Sequence, residues 1–173
     1  MQVAGYQELF DTGVRLSEAG RYEEAVAPLE GAVQVSRAHW EADRRVAPAY
    51  AAALLWLGGA LRQLERWDEA LAVADLVVVL RRSAVQPGEA DPDLAQALCQ
   101  YAVLCVHGRR DLGRAVLAVA EAITIDKAQA EASGQECTPE LHGAYGVFAA
   151  VQLARGDTDD AAQIETYLAS HTH

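Results

Sequence analysis

The stretch Gly20-Arg21-Tyr22-Glu23-Glu24-Ala25 decides the fold, because variants of it recur along the chain at a nearly constant spacing. It returns as ERWDEA at residues 65–70, as RDLGRA at 110–115 and as GDTDDA at 156–161. The alanines that close the four copies lie 45, 45 and 46 residues apart. A period between about 20 and 50 residues is typical of a solenoid, in which one supersecondary unit is stacked repeatedly.

Apolar residues with a helical period precede each copy of the stretch. In the second unit, Leu54, Leu57 and Leu61 are spaced by three and four residues, which places them on one face of a helix. A second apolar stripe follows each copy, so we predict a repeated unit of helix, tight turn and helix. The predicted fold is all-α, with eight helices in a single domain whose four units cover approximately 3–45, 46–90, 91–137 and 138–170.

The starts of the later helices carry chemical signals. Asp91 and Thr138 each stand before a proline, and their side chains can cap the exposed amides of a first helical turn. We predict that surface connections run over 83–90 and 128–137, between successive units.

The residues Leu54, Leu57-Gly58, Leu61 and Ala70 resemble the pattern of the tetratricopeptide repeat (TPR) family. The third and fourth units match less well, with Cys105, Gln152 and Glu165 where the family usually has larger apolar groups. The period of about 45 exceeds the 34 residues of the family and resembles the longer variant of kinesin light chain-type arrays and bacterial multi-repeat proteins. The resemblance implies a right-handed α-α superhelix that serves as a scaffold for protein binding.

The charge of the chain argues against two classes of partner. With 14 basic and 25 acidic residues, the net charge is −11, whereas binding to nucleic acid or to an anionic membrane relies on Lys and Arg. The longest uncharged run, 46–61, has 16 residues, contains Pro48 and is rich in alanine, which suits a buried helix better than a membrane span.

No pattern typical of an active site appears in the sequence. The three cysteines are odd in number and form no CxxC pair, which favours free thiols in a reducing cytoplasm. Cys105 and His107 are two residues apart on a predicted helix and therefore face different directions, as a core thiol and a surface imidazole. We predict a non-enzymatic protein with no catalytic residue, metal site or cofactor.

The first helices of the units are predicted to line a concave, largely apolar groove, because residues offset from their core-facing positions should point inward. Trp56 and Phe10 are expected to be partly exposed there as anchors for a partner. The family members that clamp a C-terminal carboxylate of a chaperone use lysines and asparagines, but this chain has no asparagine and its single lysine, Lys127, lies elsewhere. The predicted groove residues are Phe10, Val14, Leu55, Trp56, Gly59, Arg62, Cys99, Val103, Val106, Ala150 and Leu153.

Several occupants of this groove remain open at the level of sequence. An apolar concave surface is typical of a partner site and would suit a protein or peptide segment, or a second copy of the chain. Alternatively, tight curvature or a terminal helix could fill it. From another functional class, the chain could be a regulatory or sensor module that responds to a small ligand, as part of a larger signalling protein.

Overall fold

The computed structural model describes residues 5–84 and 90–170, which form eight α-helices and no strand. The all-α helical repeat expected from the sequence is therefore confirmed. A short 3₁₀ turn at Arg44–Val46 precedes the third helix. The helices are α1 (Tyr6–Glu18), α2 (Tyr22–Ala42), α3 (Ala47–Gln63), α4 (Trp67–Ala84), α5 (Pro92–Gly108), α6 (Leu112–Ser133), α7 (Pro139–Arg155) and α8 (Thr158–Ser170).

The chain divides into two compact units, Met1–Leu80 and Arg81–His173, with the boundary inside α4. In the first unit, α1 packs against α2, α2 against α3, and α1 against α3. In the second unit, α5 packs against α6 and α7, α6 against α7, and α7 against α8. The first helices of successive repeats therefore lie side by side within each unit. The organisation as one domain of four repeats and the right-handed superhelix stay predictions.

Each repeat is closed by an alanine that is completely enclosed where its two helices meet. Ala25, Ala70 and Ala115 have no exposed surface, and Ala161 is 1% exposed. In the first two repeats a glycine of the first helix also lies against a side chain of the second helix. In α1 it is Gly13, where a Cβ atom would lie 2.5 Å from Cγ of Leu29. Small side chains on both helices thus allow the close approach that each unit requires.

The turn between the two helices of a repeat has a recurring geometry. A residue with positive φ ends the first helix in each case: Gly20, Glu65, Arg109 and Gly156. The next amide then bonds to a carbonyl five residues back, as from Arg21 N to Leu16 O at 2.9 Å, which is the Schellman arrangement. It satisfies a carbonyl that the end of the helix would otherwise leave unpaired.

The third turn departs from the alignment read from the sequence. Its left-handed residue is Arg109 rather than Arg110, which stands at this place in the repeated stretch, and Asp111 has positive φ as well. The amide of Arg110 bonds to Cys105 O at 3.0 Å, and that of Ala115 to Asp111 O at 3.0 Å. This turn therefore contains one residue more than the other three.

The predicted helix starts are confirmed, and one predicted connection is too long. The carboxylate of Asp91 accepts from the amide of Asp93 at 3.0 Å, and the hydroxyl of Thr138 accepts from the amide of Leu141 at 3.2 Å. The connection predicted over 128–137 is shorter, because α6 continues to Ser133. The other connection, over 83–90, falls mostly on 85–89, outside the described residues.

The close approach of α3 and α4 leads to a first prediction. Ala70→Arg should destabilise the protein by more than about 1–3 kcal/mol, because a long cation would have to enter a fully enclosed contact. The matched control is Ala72→Arg on the same helix, where the alanine is exposed and the cost should stay within about 0.5 kcal/mol. Equal melting temperatures for the two variants would contradict the packing described here.

A second prediction concerns two helical glycines, whose replacement by alanine should change the stability in opposite directions. Gly13→Ala should destabilise by roughly 1–3 kcal/mol, because the new methyl group would collide with the buried Leu29 side chain. Gly59→Ala should instead stabilise by about 0.5–1 kcal/mol, because its Cβ atom would meet nothing within 4 Å and alanine favours the helix. Thermal unfolding followed by circular dichroism measures both, and stabilisation by Gly13→Ala would disprove the close contact.

Candidate partner-binding surface

The eleven residues predicted to line a groove all lie on first helices, and none of them is buried. Leu55, Arg62 and Leu153 are exposed and the other eight are half-buried. The neighbouring core positions are enclosed: Leu54 is fully buried and Leu98 is 2% exposed. We call the eleven residues the first-helix surface. Six of them are in the first compact unit, on α1 and α3, and five are in the second, on α5 and α7.

Phe10 is held against the core of the first unit. Its ring stacks on that of Tyr6, with the centroids 5.3 Å apart and the planes 13° from parallel. The hydroxyl of Tyr6 donates to the carbonyl of Ala49 at 2.9 Å, which ties α1 to the start of α3. Phe10 packs against the same buried cluster. Phe10 is thus half-buried, as expected, with part of its surface used by the fold itself.

Trp56 lines a pocket in the first unit, which we call the Trp56 pocket. Its volume is about 340 Å³, and four of the predicted groove residues meet in it. Tyr22 and Ala60 also contribute, although neither was predicted: Tyr22 belongs to the repeated stretch and reaches the pocket from the first turn of α2. The lining is formed by Ser17, Tyr22, Leu55, Trp56, Gly59, Ala60, Arg62 and Gln63.

The Trp56 pocket contains one cation and one buried hydroxyl. The guanidinium of Arg62 is exposed and forms no ion pair within the described part of the chain. Ser17 is 7% exposed, and its hydroxyl oxygen has no hydrogen-bond partner among the described residues. Among the described residues, no carboxylate lines the pocket. The polar part of this site is therefore positive and rich in donors.

The second unit presents a mostly aliphatic part of the first-helix surface. Val103 and Val106 are half-buried on α5, Ala150 is half-buried on α7, and Leu153 is 49% exposed. Cys99 is half-buried, and burial together with the nearby charge of Asp126 raises the pKa of its thiol to about 11. The thiol is therefore protonated at neutral pH, which does not suit a nucleophile.

Asp126 is a carboxylate inside the second unit. It lies on α6 and is 4% exposed. Burial raises its pKa above the ordinary value for an aspartate, and the charge of Glu140 on α7 adds to that rise. Burial in the native state therefore disfavours the charged form of this side chain relative to the unfolded chain.

Four other residues named in the sequence analysis lie outside the first-helix surface. Cys105 is completely buried and His107 is exposed, as predicted. Lys127 lies on the second helix α6, and its ammonium is 5.7 Å from the centroid of the Tyr145 ring on α7, outside the eleven residues of the first-helix surface. Gln152, where the family prefers a larger apolar group, is buried and donates to the carboxylate of Asp160 at 2.9 Å.

No group of three or more His, Cys, Asp or Glu side chains within 5–84 and 90–170 is arranged to hold a metal ion. Over the same residues, no helix combines the length and the apolar character that crossing a membrane requires.

Solved structures of helical repeat proteins resemble this chain. MamA from Desulfovibrio magneticus RS-1, residues 41 to the end, is 19% identical with a TM-score of 0.65, over 95% of this chain and 74% of that one. BtubC from P. vanneervenii is 19% identical with a TM-score of 0.67, over 97% and 65%. A substituted form of the TPR-like repeats of a Podosopora anserina putative kinesin light chain is 15% identical with a TM-score of 0.51, over 98% and 96%.

These likenesses define the class of fold. The TPR-type helical repeat expected from the sequence is confirmed, including its resemblance to kinesin light chain repeats. The chain spans slightly less than two thirds of BtubC. By sequence, no family model matches the chain and no curated protein resembles it closely enough to count as a relative.

The buried carboxylate of α6 gives a third prediction. Because the folded-state pKa of Asp126 is raised, its destabilising effect is present above that pKa and disappears as the pH falls through it. Asp126→Asn should therefore raise the melting temperature at pH 7, and its advantage over the parent should shrink on acidification. The control is Glu131→Gln, an exposed carboxylate on the same helix. An advantage of Asp126→Asn that grows on acidification would contradict this assignment.

Proposed function

We propose that this chain is a non-enzymatic protein-interaction scaffold that holds a peptide or helical segment of a partner against its first-helix surface. The supporting observation is the contrast between neighbouring positions of the same helices. Leu54 and Leu98 are enclosed, whereas Leu55 and Leu153 are about half exposed, at 45% and 49%. Apolar side chains that remain exposed on one helix face of a folded protein favour a binding role.

The fold supports this proposal in a general way. Within each compact unit two first helices pack side by side, α1 with α3 and α5 with α7, and each pair offers a surface that suits an extended or helical peptide. Because one fold can serve many functions, the exposed apolar residues are the main support for a binding role. The cysteines and the histidine also fit a scaffold better than an enzyme. The Cys99 thiol is protonated at neutral pH, Cys105 is buried, and His107 is exposed.

The partner and the compartment follow from charge and thiol chemistry. We expect a protein or peptide partner, or a second copy of this chain, rather than nucleic acid or an anionic membrane, because the net charge is −11. The three cysteines are free, which suits the reducing cytoplasm. The proposal includes one domain of four repeats and excludes a chaperone-type carboxylate clamp, since the only lysine lies on α6.

A second candidate function is a sensor that responds to a small ligand. One observation favours it, namely the Trp56 pocket, whose volume of about 340 Å³ lies near the lower end of the range for small-molecule sites. The pocket does not exclude a scaffold role, because a partner side chain could also enter it.

Photo-cross-linking from two matched leucines tests the scaffold proposal and is our fourth prediction. A photoreactive phenylalanine analogue at Leu153, on the first helix α7, should yield a discrete protein adduct in cells. The same analogue at Leu117, which is 71% exposed on the second helix α6, should yield little or none. Leu55 on α3 provides an independent first-helix position.

The mass and origin of the adducts distinguish the alternatives. An adduct of the chain with a different protein, formed from Leu153 and Leu55 but not from Leu117, supports a scaffold. An adduct of the chain with itself identifies self-association as the interaction. Adducts of equal yield from all three positions, or none from Leu153 and Leu55, would contradict a binding role for the first-helix surface.

A further inference from the structure

The Trp56 pocket lies entirely within the first compact unit, between the end of α1, the start of α2 and the second half of α3. At about 340 Å³ it is small for a binding site, where volumes of roughly 300–1,000 Å³ are usual. A cavity of about 150 Å³ already holds benzene, so this pocket has room for an apolar body of one or two rings with a short substituent. The size therefore restricts the occupant to a small molecule or a single side chain.

The apolar part of the pocket suits a flat or branched hydrocarbon body. Trp56 and Tyr22 are half-buried and offer aromatic surface, while Leu55 contributes an exposed aliphatic side chain. Gly59 leaves the space open, because a Cβ atom built on it would meet nothing within 4 Å. Aromatic rings pack favourably against such bodies in offset or edge-on arrangements.

The polar part of the pocket suits an anion. Arg21, Arg37, Arg45 and Arg66 of the same unit each hold a carboxylate, at 2.5 to 3.8 Å. Arg62 holds none within the described residues, so its planar fork of donors is available for bidentate binding of a carboxylate. The side-chain amide of the neighbouring Gln63 also makes no hydrogen bond within the described part of the chain, and it adds further donors.

Ser17 provides an independent sign that the pocket is built for a polar ligand. Its side chain is more than nine-tenths buried, yet its hydroxyl has no partner among the described residues. A buried hydroxyl without a partner costs roughly 1–3 kcal/mol of stability. Because the hydroxyl oxygen has almost no accessible surface in the free protein, a ligand could accept from it only after the Ser17 side chain turns toward the pocket. Such a hydrogen bond would remove the cost.

We propose that the Trp56 pocket is a binding site for a small monocarboxylate with an apolar body of one or two rings. Arg62 binds the carboxylate, with Ser17 and Gln63 as further donors, and Trp56 contacts the body. The site shares Leu55, Trp56, Gly59 and Arg62 with the first-helix surface, so a ligand bound here and a partner segment lying on α3 would compete. The proposal rests on the small-ligand candidate of the proposed function. The site gives the chain a means of responding to a metabolite of this class.

Titration followed by nuclear magnetic resonance tests the proposal directly. The indole N–H signal of Trp56 is identified by its loss in Trp56→Phe. We expect 3-phenylpropanoate to shift this signal saturably. The neutral 3-phenylpropanamide, which has the same shape, should bind about tenfold more weakly or worse, and 3-phenylpropylamine should not bind. Equal affinity for the amine and the acid, or no saturable shift with the acid, would overturn the proposal.

Two pairs of variants assign the interaction to the pocket. Arg62→Gln should weaken binding of 3-phenylpropanoate by about tenfold or more, whereas Arg15→Gln, an exposed arginine of α1 outside the pocket, should not. Gly59→Leu should abolish binding by filling the open space. Gly143→Leu is its matched control, because Gly143 is exposed on α7 and its Cβ atom would also meet nothing within 4 Å.

Ser17→Ala provides a readout that a purely structural role would not give. We expect weaker binding of 3-phenylpropanoate together with a higher melting temperature of the free protein, because the variant removes a hydroxyl that has no partner among the described residues. Binding that survives unchanged in Gly59→Leu and Arg62→Gln would place the ligand outside the pocket and overturn the proposal. Failure of these binding tests leaves the scaffold proposal standing, because that proposal is tested by cross-linking from Leu153, which lies outside the pocket.

Discussion

The close approach of two helices at a small residue is the contact on which each repeat depends. Ala70 has no exposed surface, and the same holds for Ala25 and Ala115 in their own repeats. Any larger side chain there would separate the helices and remove the dispersion contacts of the apolar side chains around them. In the first repeat, the approach is closest at Gly13, opposite Leu29. The apolar stripes can interlock only because these positions are small.

The turn between paired helices is the second constraint, and it tolerates variation in sequence better than in backbone geometry. Gly20 and Gly156 adopt the left-handed conformation without a steric penalty, whereas Glu65 and Arg109 adopt it at some cost. The hydrogen bond across the turn is kept in all four repeats. The third turn keeps it despite one extra residue, so the geometry is preserved by the bond rather than by the number of residues.

Among the described residues, the fold satisfies some buried polar side chains and leaves others without a partner or with a cost in stability. Gln152 replaces an apolar residue of the family pattern and is satisfied by the carboxylate of Asp160. Asp126 is buried and its pKa is raised, which lowers stability at neutral pH. Ser17 has a buried hydroxyl with no partner among the described residues, at the edge of a pocket that also contains Arg62. A buried polar group that has no partner and lies beside an open cavity is a candidate for binding a ligand.

The sequence by itself determined the repeat, the helices and the positions of the buried small residues. These follow from spacing, because residues three and four apart share a helix face whatever the rest of the chain does. It also identified the exposed positions of the first helices, such as Leu55 and Leu153, as those offset from the core. Only the tertiary structure decided that the third turn begins at Arg109, since two arginines in a row give no local signal for the left-handed residue. Only the tertiary structure brought Tyr22 of α2 beside Trp56 of α3, because a pocket depends on how side chains from separate helices meet, which a pattern along one helix does not specify.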